Sequence, residues 1–446
     1  MTGTVADTLT DPRGPAWVRR TEHVLRPDPD RVVARVFVPG HDTATSGGSR
    51  AGAVLGRVLA LADAEVDSDL AQLVDGFRDR HHDLEATWES SFAVVRHRLA
   101  DAAALPANRR RLVGAYFTQE YAVQSTALFN PSMVPHPDQG GLPAGAARFV
   151  MTVRATGEGH VSSLELRTGT VDADDVVTFD PPPVRAVQPA VTTLAERSYD
   201  AAFPSASEVR ERVLMPQVAA ESHGVEDVRM VRLESPDGSV SYAGTYTAYD
   251  GRGVSTQILR TQDFARMTSR PLSGPGARDK GLALFPRQIA GRWVAMSRAD
   301  RETNAVTTSG DLLHWEDPVV VQRPEHAWEV VQLGNCGPPV ETERGWLVLT
   351  HGVGAMRTYS IGALLLDLDD PTRVVGRLAH PLLTAVGDER SGYVPNVVYS
   401  CGAMLHGRTL VLPYGSSDTT TRVALVDLDA LLDALTGAPR PGAVRG

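Results

Sequence analysis

The sequence predicts an all-β fold, a five-bladed β-propeller that follows a helical N-terminal extension. Beyond residue 125, short apolar runs rich in β-branched and aromatic residues dominate the chain, and a common layout recurs in them. Helical spacing of apolar residues is confined to the segment before them. The predicted divisions are the N-terminal extension 1–124, largely helical from about residue 50, the propeller 125–435 and a C-terminal tail 436–446.

The N-terminal extension begins with a strand-like run, Arg31–Val38, followed by a polar loop at 41–49. Apolar residues at helical spacing then predict three helices up to about Leu105. The helices are marked by Val54, Leu55, Val58 and Leu59 in the first, by a cap at Asp67 or Ser68 before Leu70, Leu73, Val74 and Phe77 in the second, and by Phe92, Val95 and Leu99 in the third.

The remainder of the chain consists of strand-like runs broken by Gly, Pro, Asp and Asn, which is typical of a sandwich, a barrel or a propeller. A stretch rich in Pro and Ala, roughly 170–220, reads as an insertion between two of the runs. The clearest runs are Arg148–Arg154, Ser241–Ala248, Trp293–Ser297, Trp346–Thr350 and Thr409–Pro413.

A repeat favours the propeller among these folds. Several segments share one layout: a polar residue, an apolar strand, a turn, and a second strand with an aromatic residue or Gly. The starts at Asp227 and Lys280 are 53 residues apart, and the next intervals, to Asn335 and Asn396, are 55 and 61 residues. A period of about 50 residues with about four strands is typical of one propeller blade. With a further start at Asn130, five blades are predicted.

The first strand of each blade lines the central channel of a propeller, so the residues that open the repeats should converge at one mouth. Amides, a carboxylate and an ammonium group would then surround one axial cavity, which predicts a polar site of the kind that binds a sugar. The converging residues are predicted to be Asn130, Asp227, Lys280, Asn335 and Asn396.

Composition excludes several function classes. The chain has 446 residues, 42% of them hydrophobic and 22% charged, as in ordinary globular proteins. A net charge of -10 argues against a nucleic-acid or anionic-membrane surface. No run of about 18 apolar residues predicts a membrane span, and no secretory signal is recognised. Two cysteines, Cys336 and Cys401, have no metal-ligand spacing, and a cytoplasmic location is expected.

Lysine usage is unusual. Of the 44 basic residues only Lys280 is a lysine, and the other 43 are arginines. In a chain with so strong a preference for Arg, the one Lys is a candidate for a role that a planar guanidinium does not fill. Survival by chance is the alternative explanation.

The segment Ser222–Arg229 places two carboxylates and a guanidinium at the start of a blade. Because neighbouring residues of a strand face opposite sides, Asp227 and Arg229 should share one face and Glu226 should point away. A carboxylate beside a guanidinium is an acid whose pKa depends on its partner. A purely structural ion pair is the alternative.

Two neighbouring blades supply groups that are able to surround an anion. Lys280 and Arg298 come from one, and His351 and Tyr359 from the next; a structural role for the histidine is the alternative. Weaker candidates are His160, Asp418 and the pair Trp328 and Glu329, which turn chemistry or core packing also explains. The sequence contains no P-loop, G-x-S-x-G, H-E-x-x-H or EF-hand motif.

Seven segments together, in this order, resemble glycoside hydrolase family 130. This family contains β-mannoside phosphorylases and β-mannosidases on a five-bladed propeller. The resemblance covers about residues 125–435 and leaves out the helical extension. The segments are Asn130–Ser132, Gly224–Arg229, Asp279–Pro286, Gly334–Pro339, Gly345–Gly352, Tyr359–Pro371 and Tyr414–Asp418.

The resemblance implies an inverting glycoside phosphorylase. Asp227 matches the family's acid, which protonates the glycosidic oxygen through the mannose 3-hydroxyl, and phosphate attacks the anomeric carbon from the opposite face to give mannose-1-phosphate. The expected partners are a mannoside and inorganic phosphate as co-substrate, without metal or cofactor, in a possible homo-oligomer. The residues expected to hold phosphate are Lys280, Arg298, His351 and Tyr359, and those expected to contact sugar are Asn130, Arg154, Arg229, Asn335 and Asp418.

The sequence departs from the family pattern at two positions: Val228 replaces a usual proline, and Phe129 stands where many members carry arginine. Two other functions stay open. A β-mannosidase would need a carboxylate base for water, and a sugar-binding propeller would need none. The candidate bases are Glu226, Glu329 and Glu341.

Overall fold

The computed structural model describes residues 14–40, 49–235 and 237–437. These residues form two compact units. A helical unit comprises Asp28–Ser125 and Pro183–Gln188, and a β unit comprises 14–27, Thr126–Pro182 and 189–437. The division differs from the predicted extension 1–124, because residues 14–27 belong to the β unit: strand β1 (Val18–Leu25) pairs with a strand near the C-terminus.

The helical unit contains a two-stranded antiparallel sheet and four helices around one apolar core. Trp88, Phe92 and Leu112 are among its buried residues. The last helix lies against the backbone of Trp88, since a Cβ at Gly114 would come within 1.9 Å of the Trp88 carbonyl oxygen. The elements are β2 (Val32–Val36), α1 (Arg50–Leu59), α2 (Asp63–Phe77), α3 (Leu84–Val95), α4 (Ala107–Tyr116) and β3 (Thr118–Ala122).

Helices α1 to α4 occupy the stretch from residue 50, but the predicted start of the second helix was wrong, and Leu99, predicted in the third, lies beyond its end at Val95. Helix α2 starts at Asp63 and not near Asp67, because Glu65 accepts a hydrogen bond from the Ala62 amide at 2.7 Å and closes an earlier first turn. Helix α3 starts at Leu84, where Asp83 caps it. The sequence did not predict α4, and most of the predicted loop at 41–49 lies outside the described residues.

The β unit consists almost entirely of antiparallel strands. Two arrays are joined in one eleven-stranded sheet, in which β8 and β9 extend the edge of β14 and β10 pairs with β6. The strands are β4 (Ala127–Pro135), β5 (Ala147–Thr156), β6 (Ser162–Val171), β7 (Val177–Phe179), β8 (Ala190–Ala195), β9 (Ser198–Ala202), β10 (Val213–Leu214), β11 (Gly224–Glu234), β12 (Val240–Tyr249), β13 (Val254–Thr261) and β14 (Arg266–Pro271).

Three further arrays complete the β unit. They run β15 to β18, β19 to β24, and β25 to β28 with β1 on the outer edge. The strands are β15 (Ala283–Leu284), β16 (Trp293–Ser297), β17 (Asn304–Ser309), β18 (Val319–Gln322), β19 (Gln332–Asn335), β20 (Val340–Thr342), β21 (Gly345–Val353), β22 (Tyr359–Leu366), β23 (Val374–Arg377), β24 (Leu383–Thr384), β25 (Val398–Tyr399), β26 (Met404–His406), β27 (Thr409–Ser416) and β28 (Thr420–Asp427), followed by α5 (Leu428–Thr436).

Short 3₁₀ helices connect several of these elements. They are Arg96–Arg98, Ala102–Ala104, Glu158–His160, Val209–Glu211, Ala219–Glu221, Pro275–Ala277, Ala355–Arg357 and Gly387–Arg390. Within the described residues, every helix is too short or too polar to cross a lipid bilayer.

Shared apolar cores hold consecutive arrays of the β unit together. Leu284 packs with Val231, Phe285 with Trp346, and Leu412 belongs to the same core as Leu349. The last array also shares a core with the first, through β27 and β28 against β4 and β5. The first and second arrays are linked where the Met230 amide donates to Ser132 Oγ at 3.1 Å. Each array therefore contacts the next, and the last contacts the first.

Candidate functional site

Two irregular strands shape the candidate site. In β11 the pairing register shifts between Glu226 and Arg229, and Asp227 has a backbone φ of 54°. In β4 a matching shift includes Asn130, whose φ is 50°. Among residues other than Gly, Asn and Asp visit this left-handed conformation most readily. Such bulges redirect side chains out of the regular alternation of a strand.

The bulge in β11 overturns the expected orientation of Glu226. Regular alternation predicted that this side chain would point away from Asp227, but one guanidinium, that of Arg154 on β5, contacts both carboxylates. Arg154 Nη2 donates to Glu226 Oε1 at 2.6 Å, and Nη1 donates to Asp227 Oδ1 at 3.3 Å. Its Nε donates to Ser162 Oγ at 2.8 Å, which fixes the fork. Arg154 is thus an ion-pair partner of Asp227.

Asp227 is buried among cationic groups. Asn130 Nδ2 donates to its Oδ1 at 2.8 Å, and Arg229 Nη1 donates to its backbone carbonyl at 3.0 Å. Burial opposes ionisation, but the charges of Arg154, Arg229 and Lys280 outweigh it and lower the pKa of Asp227 to about 2. The hydrogen bonds that this carboxylate accepts from described residues all go to Oδ1, so Oδ2 is available to a ligand.

A cavity of about 290 Å³ lies beside Asp227, close to the lower end of the size range of small-molecule sites. Nine of the ten predicted site residues line it. They are Asn130, Arg154, Asp227, Arg229, Lys280, Arg298, His351, Tyr359 and Asp418.

The cavity is a local positive site in an acidic chain, since five cationic side chains and two carboxylates line it. Arg154 and Arg229 are occupied by the contacts above and by Tyr399, whose hydroxyl accepts from Arg229 Nη2 at 2.7 Å. The Lys280 ammonium makes no hydrogen bond or ion pair with residues in the described part of the chain. Arg298 has one contact, in which its Nη1 lies 3.1 Å from His351 Nε2. An anion is the ligand that such free cationic groups favour.

Asp418 is the second carboxylate of the cavity. It sits in a left-handed turn with φ 49°, between β27 and β28. Burial raises the pKa of Asp418, and the negative charge of Asp227 adds to the effect, so that the pKa reaches about 6 despite Arg154 and Arg357. The pKa values of the two carboxyl groups in this cavity are therefore shifted in opposite directions, that of Asp227 downward and that of Asp418 upward.

Tyr359 and Phe129 complete the predicted surroundings. The Tyr359 hydroxyl accepts from Gln332 Nε2 at 3.4 Å. Phe129, which replaces a frequent arginine, lies under the Arg154 guanidinium with 5.0 Å from the guanidinium carbon to the ring centre. Phe129 thus forms a cation–π contact with Arg154.

Two residues expected at the cavity do not line it. Asn335 is buried, and its amide donates to the Gly281 carbonyl at 2.6 Å while its Oδ1 accepts from the Gly337 amide at 3.2 Å. Asn396 accepts from Arg390 Nε at 2.9 Å. Both asparagines are used to satisfy loop groups, so the predicted convergence holds for Asn130, Asp227 and Lys280 alone.

None of the three candidate bases for water lines the cavity, and Glu226 is held by Arg154 as described above. Glu329 is fully buried, pairs with Arg377 and accepts from the backbone amides of Glu325 and His326. These hydrogen bonds show that Glu329 stabilises the loop at residues 325 and 326. Glu341 forms a two-pronged ion pair with Arg287 at 2.6 and 2.9 Å.

Several lining residues were not among the predicted site residues, and His160 was only a weaker candidate. Tyr393 and His160 form a ring pair with centres 5.7 Å apart. Tyr399, Gln332 and Arg357 also line the cavity. A signal was present for Tyr393 and Tyr399, which lie on either side of the repeat start at Asn396, whereas nothing in the local sequence marks Gln332.

Comparison with known proteins supports one family. The family model of glycoside hydrolase family 130, described as beta-1,4-mannooligosaccharide phosphorylase, matches residues 193–437. A 1,2-beta-oligomannan phosphorylase of Thermoanaerobacter sp. (strain X514) is 30% identical over 227 residues, 48% of this chain and 72% of the relative. A beta-1,2-mannobiose phosphorylase from the same organism is 33% identical over 224 residues, 48% of this chain and 70% of the relative.

The fold is similar to a solved structure, the beta-1,2-mannobiose phosphorylase from Listeria innocua in complex with beta-1,2-mannobiose. The TM-score is 0.50 at 22% identity, over 70% of this chain and 92% of that structure. With the family match, the chain belongs to glycoside hydrolase family 130 and is an enzyme of the glycoside phosphorylase or glycoside hydrolase kind.

Proposed function

We propose that the enzyme is an inverting β-mannoside phosphorylase, which cleaves a β-mannoside with inorganic phosphate to mannose-1-phosphate and a free acceptor. One observation carries the proposal. Lys280 and Arg298 present cationic groups, without carboxylate partners among the described residues, to the same cavity that holds Asp227. A hydrolase has no use for two such cations in the cavity of its acid, whereas a phosphorylase has to hold an anion there.

Asp227 is the proposed acid. Its Oδ2 is the oxygen that would contact the sugar. In the family pattern the proton is transferred to the glycosidic oxygen by way of the mannose 3-hydroxyl. The cations around Asp227 keep its carboxyl ionised. Phosphate brings negative charge beside Lys280 and Arg298, which weakens the field that lowers the pKa of Asp227. Binding of the co-substrate therefore favours the protonated acid that the reaction uses.

Phosphate is the proposed nucleophile. An inverting reaction needs the acid and the nucleophile on opposite faces of the scissile bond, with space for the nucleophile between them. Lys280 and Arg298 would hold phosphate as a point charge and as a fork, respectively. One phosphate oxygen then attacks the anomeric carbon while the C–O bond to the acceptor breaks and the acceptor oxygen takes up the proton.

The sugar would lie against Asn130, Asp418 and the guanidinium group of Arg154. Buried amides and carboxylates are the groups that fix sugar hydroxyls by hydrogen bonds. The two Thermoanaerobacter relatives are named for 1,2-linked mannans, so β-1,2-linked mannosides are the first substrates to test.

The five-blade architecture is part of the proposal. The arrays β4–β7, β11–β14, β15–β18, β19–β24 and β25–β28 would be the blades, with β1 completing the last one. Their consecutive contacts, including that of the last array with the first, support a closed ring around the cavity.

The test is incubation with β-1,2-mannobiose and with a panel of other mannosides, each with and without inorganic phosphate. Mannose-1-phosphate formed only when phosphate is present is the expected result. Free mannose formed without phosphate would show a β-mannosidase instead. Binding of mannosides without any product would leave a sugar-binding protein. Asp227→Asn serves as the control, which should bind substrate and lose turnover.

A further inference from the structure

The guanidinium of Arg298 is held on one side and free on the other. Its Nη1 lies 3.1 Å from His351 Nε2. Its Nε is buried without a hydrogen-bond partner in the described parts of the chain, and Nη2 forms no hydrogen bond with these residues either. The Nε–Nη2 edge is the edge with which arginine binds two oxygens of a phosphate or carboxylate at once. Arg298 thus lines the cavity with an Nε–Nη2 edge that makes no hydrogen bond to the described residues.

The contact with Nη1 fixes the chemical state of His351. A guanidinium nitrogen donates and does not accept, so Nε2 of the imidazole has to carry the lone pair. The ring proton then sits on Nδ1, which lies 3.3 Å from the Asn335 carbonyl oxygen, an acceptor. Both ring nitrogens are used in one neutral tautomer, because a second proton on Nε2 would point at Arg298.

The surroundings of His351 also oppose a positive charge. The ring is 1% exposed, stacks parallel to Tyr359 at 6.1 Å and lies 4.8 Å from the ring of Tyr399. Burial first, and then the charges of Arg298 and Arg229, hold the pKa of His351 well below its usual range.

The opposing groups near His351 are weaker. The Asn335 carbonyl and the negative charge of Asp227 favour the charged imidazole, yet they do not reverse the shift of its pKa. The aromatic neighbours fix the ring plane without offering a negative charge.

We propose that His351 is a positioning residue, which holds Nη1 of Arg298 so that Nε and Nη2 face phosphate, and that it contributes no positive charge to the anion site. This inference rests on the proposed phosphorolysis for the identity of the anion. It assigns the resemblance-based group of phosphate-holding residues two different tasks. Arg298 and Lys280 supply charge, and His351 supplies an acceptor that orients one of them.

The neighbouring chain leaves room for this pair. A Cβ at Gly334 would lie 2.5 Å from Cε1 of His351 and 2.6 Å from Cδ of Arg298. Gly281, directly after Lys280, lies beside Arg298, where a Cβ would be 3.9 Å from Nε. The glycine on β19 therefore allows the two side chains to meet, and the turn after Lys280 places both cations at one side of the cavity.

The first test reads the imidazole directly. Ring-¹⁵N-labelled histidine in the intact protein reports which nitrogen carries the proton, and the spectrum of His351→Gln assigns the signal among the 13 histidines. We expect the neutral Nδ1–H tautomer at pH 8 and unchanged at pH 6, with and without phosphate. A doubly protonated ring at pH 6, or an Nε2–H tautomer, would overturn the proposal. This measurement does not depend on catalysis.

The second test separates an acceptor from a charge. Gln places an acceptor near the position of Nε2, whereas Phe keeps the ring shape and has none. Phosphate binding, measured by calorimetry, should weaken about tenfold or more in His351→Phe and be largely restored in His351→Gln. His314→Gln, on an exposed turn, is the matched control. Equal losses in both His351 variants would contradict the positioning role. Absence of phosphate binding in the unmodified protein would instead reject the proposed phosphorolysis and leave the tautomer result standing.

Discussion

The side-chain amide of Asn130 donates to Oδ1 of Asp227 at 2.8 Å, and each residue occupies a left-handed position in a bulge of its own strand. Two strands, β4 and β11, thus deviate from regular geometry at the same place, and the deviation brings an amide to a carboxylate. The amide and Arg154 occupy one carboxylate oxygen, and the other faces the cavity.

Replacement of Asn130 should disturb this carboxylate in a graded way. Asn130→Ala removes one hydrogen bond to an ionised group, and we expect kcat/KM to fall by about tenfold. Asn130→Asp places a second carboxylate against Oδ1 of Asp227. The two carboxyl groups then share a proton, and the protonation of Asp227 is no longer set by the cations alone. Steady-state phosphorolysis should then fall by about a hundredfold or more. Equal activity in the two variants would contradict the role given to the amide.

Asp227 and Asp418 should affect stability with opposite signs. The folded pKa of Asp418, about 6 because of burial and the charge of Asp227, exceeds its ordinary value of 3.8, so stability is lost as pH rises from about 4 through 6. The folded pKa of Asp227, about 2, lies below 3.8 because burial is outweighed by cations, so its stabilisation is present above pH 4 and is lost as pH falls through 2. At pH 7.5, Asp418→Asn should be more stable by roughly 3 kcal/mol and Asp227→Asn less stable by roughly 2 kcal/mol.

Urea denaturation at pH 7.5 and at pH 4 checks this pair. The gain from Asp418→Asn should shrink to less than about 1 kcal/mol at pH 4, where the carboxyl is protonated in the folded chain and roughly half protonated in the unfolded chain. A gain that persists unchanged at pH 4 would point to packing as its origin. Both variants should lose phosphorolysis, since both side chains line the cavity.

Glu226→Gln distinguishes a base from a structural partner. The carboxylate shares Arg154 with Asp227, and the amide oxygen of Gln is still able to accept from Nη2. We expect kcat/KM for phosphorolysis to fall by less than about tenfold. Loss of essentially all turnover, together with phosphate-independent cleavage by the wild type, would identify Glu226 as a water-activating base. Product assays with and without phosphate read both results.

Lys280 should tolerate Arg better than Ala. An ammonium without a carboxylate partner in the described residues is a charge for the ligand, and Arg keeps the charge while changing its shape. The KM for phosphate should rise by about a hundredfold in Lys280→Ala and by about tenfold in Lys280→Arg, with the KM for mannoside changing less in both. Equal rises in the two variants would show that the site requires the compact ammonium itself.

Two ion pairs involve neighbouring carboxylates of the turn Gly387–Arg390 and differ in burial. They should therefore contribute differently to the free energy of unfolding. Arg20 Nε donates to Glu389 at 3.1 Å, and the Glu389 side chain is 2% exposed. Arg422 pairs with Asp388, which is 74% exposed. Arg20→Ala should lower the free energy of unfolding by about 3 kcal/mol, because a buried carboxylate loses a cation. Arg422→Ala should cost less than about 1 kcal/mol. A similar cost in both variants, measured in urea, would contradict this distinction.

The strand pattern and nine of the residues that line the cavity could be predicted, the strands from local signals and several of the lining residues from the resemblance to the family. Apolar strands such as Trp293–Ser297 are visible by composition and turn residues. The positions of Asp227 and Lys280 follow from the repeat that opens each array.

Side-chain direction could not be predicted where the backbone departs from regular geometry. The orientation of Glu226 depends on the bulge at Asp227, which no rule of alternation contains. The use of Asn335 depends on the Gly281 carbonyl, a group 54 residues away in sequence. Contacts between distant segments decide such cases, and a single sequence does not display them.

The pairing of β1 with β28 determines when, during translation, the last array is completed. Val18 pairs with Val426, so the two strands leave the ribosome about 400 residues apart, or roughly 20–80 s at 5–20 residues per second. Throughout that interval the edge that β1 will cover does not exist. The nascent N-terminal strand therefore has to avoid pairing with other chains until translation has nearly finished, and the last array is completed only after the last strand is made.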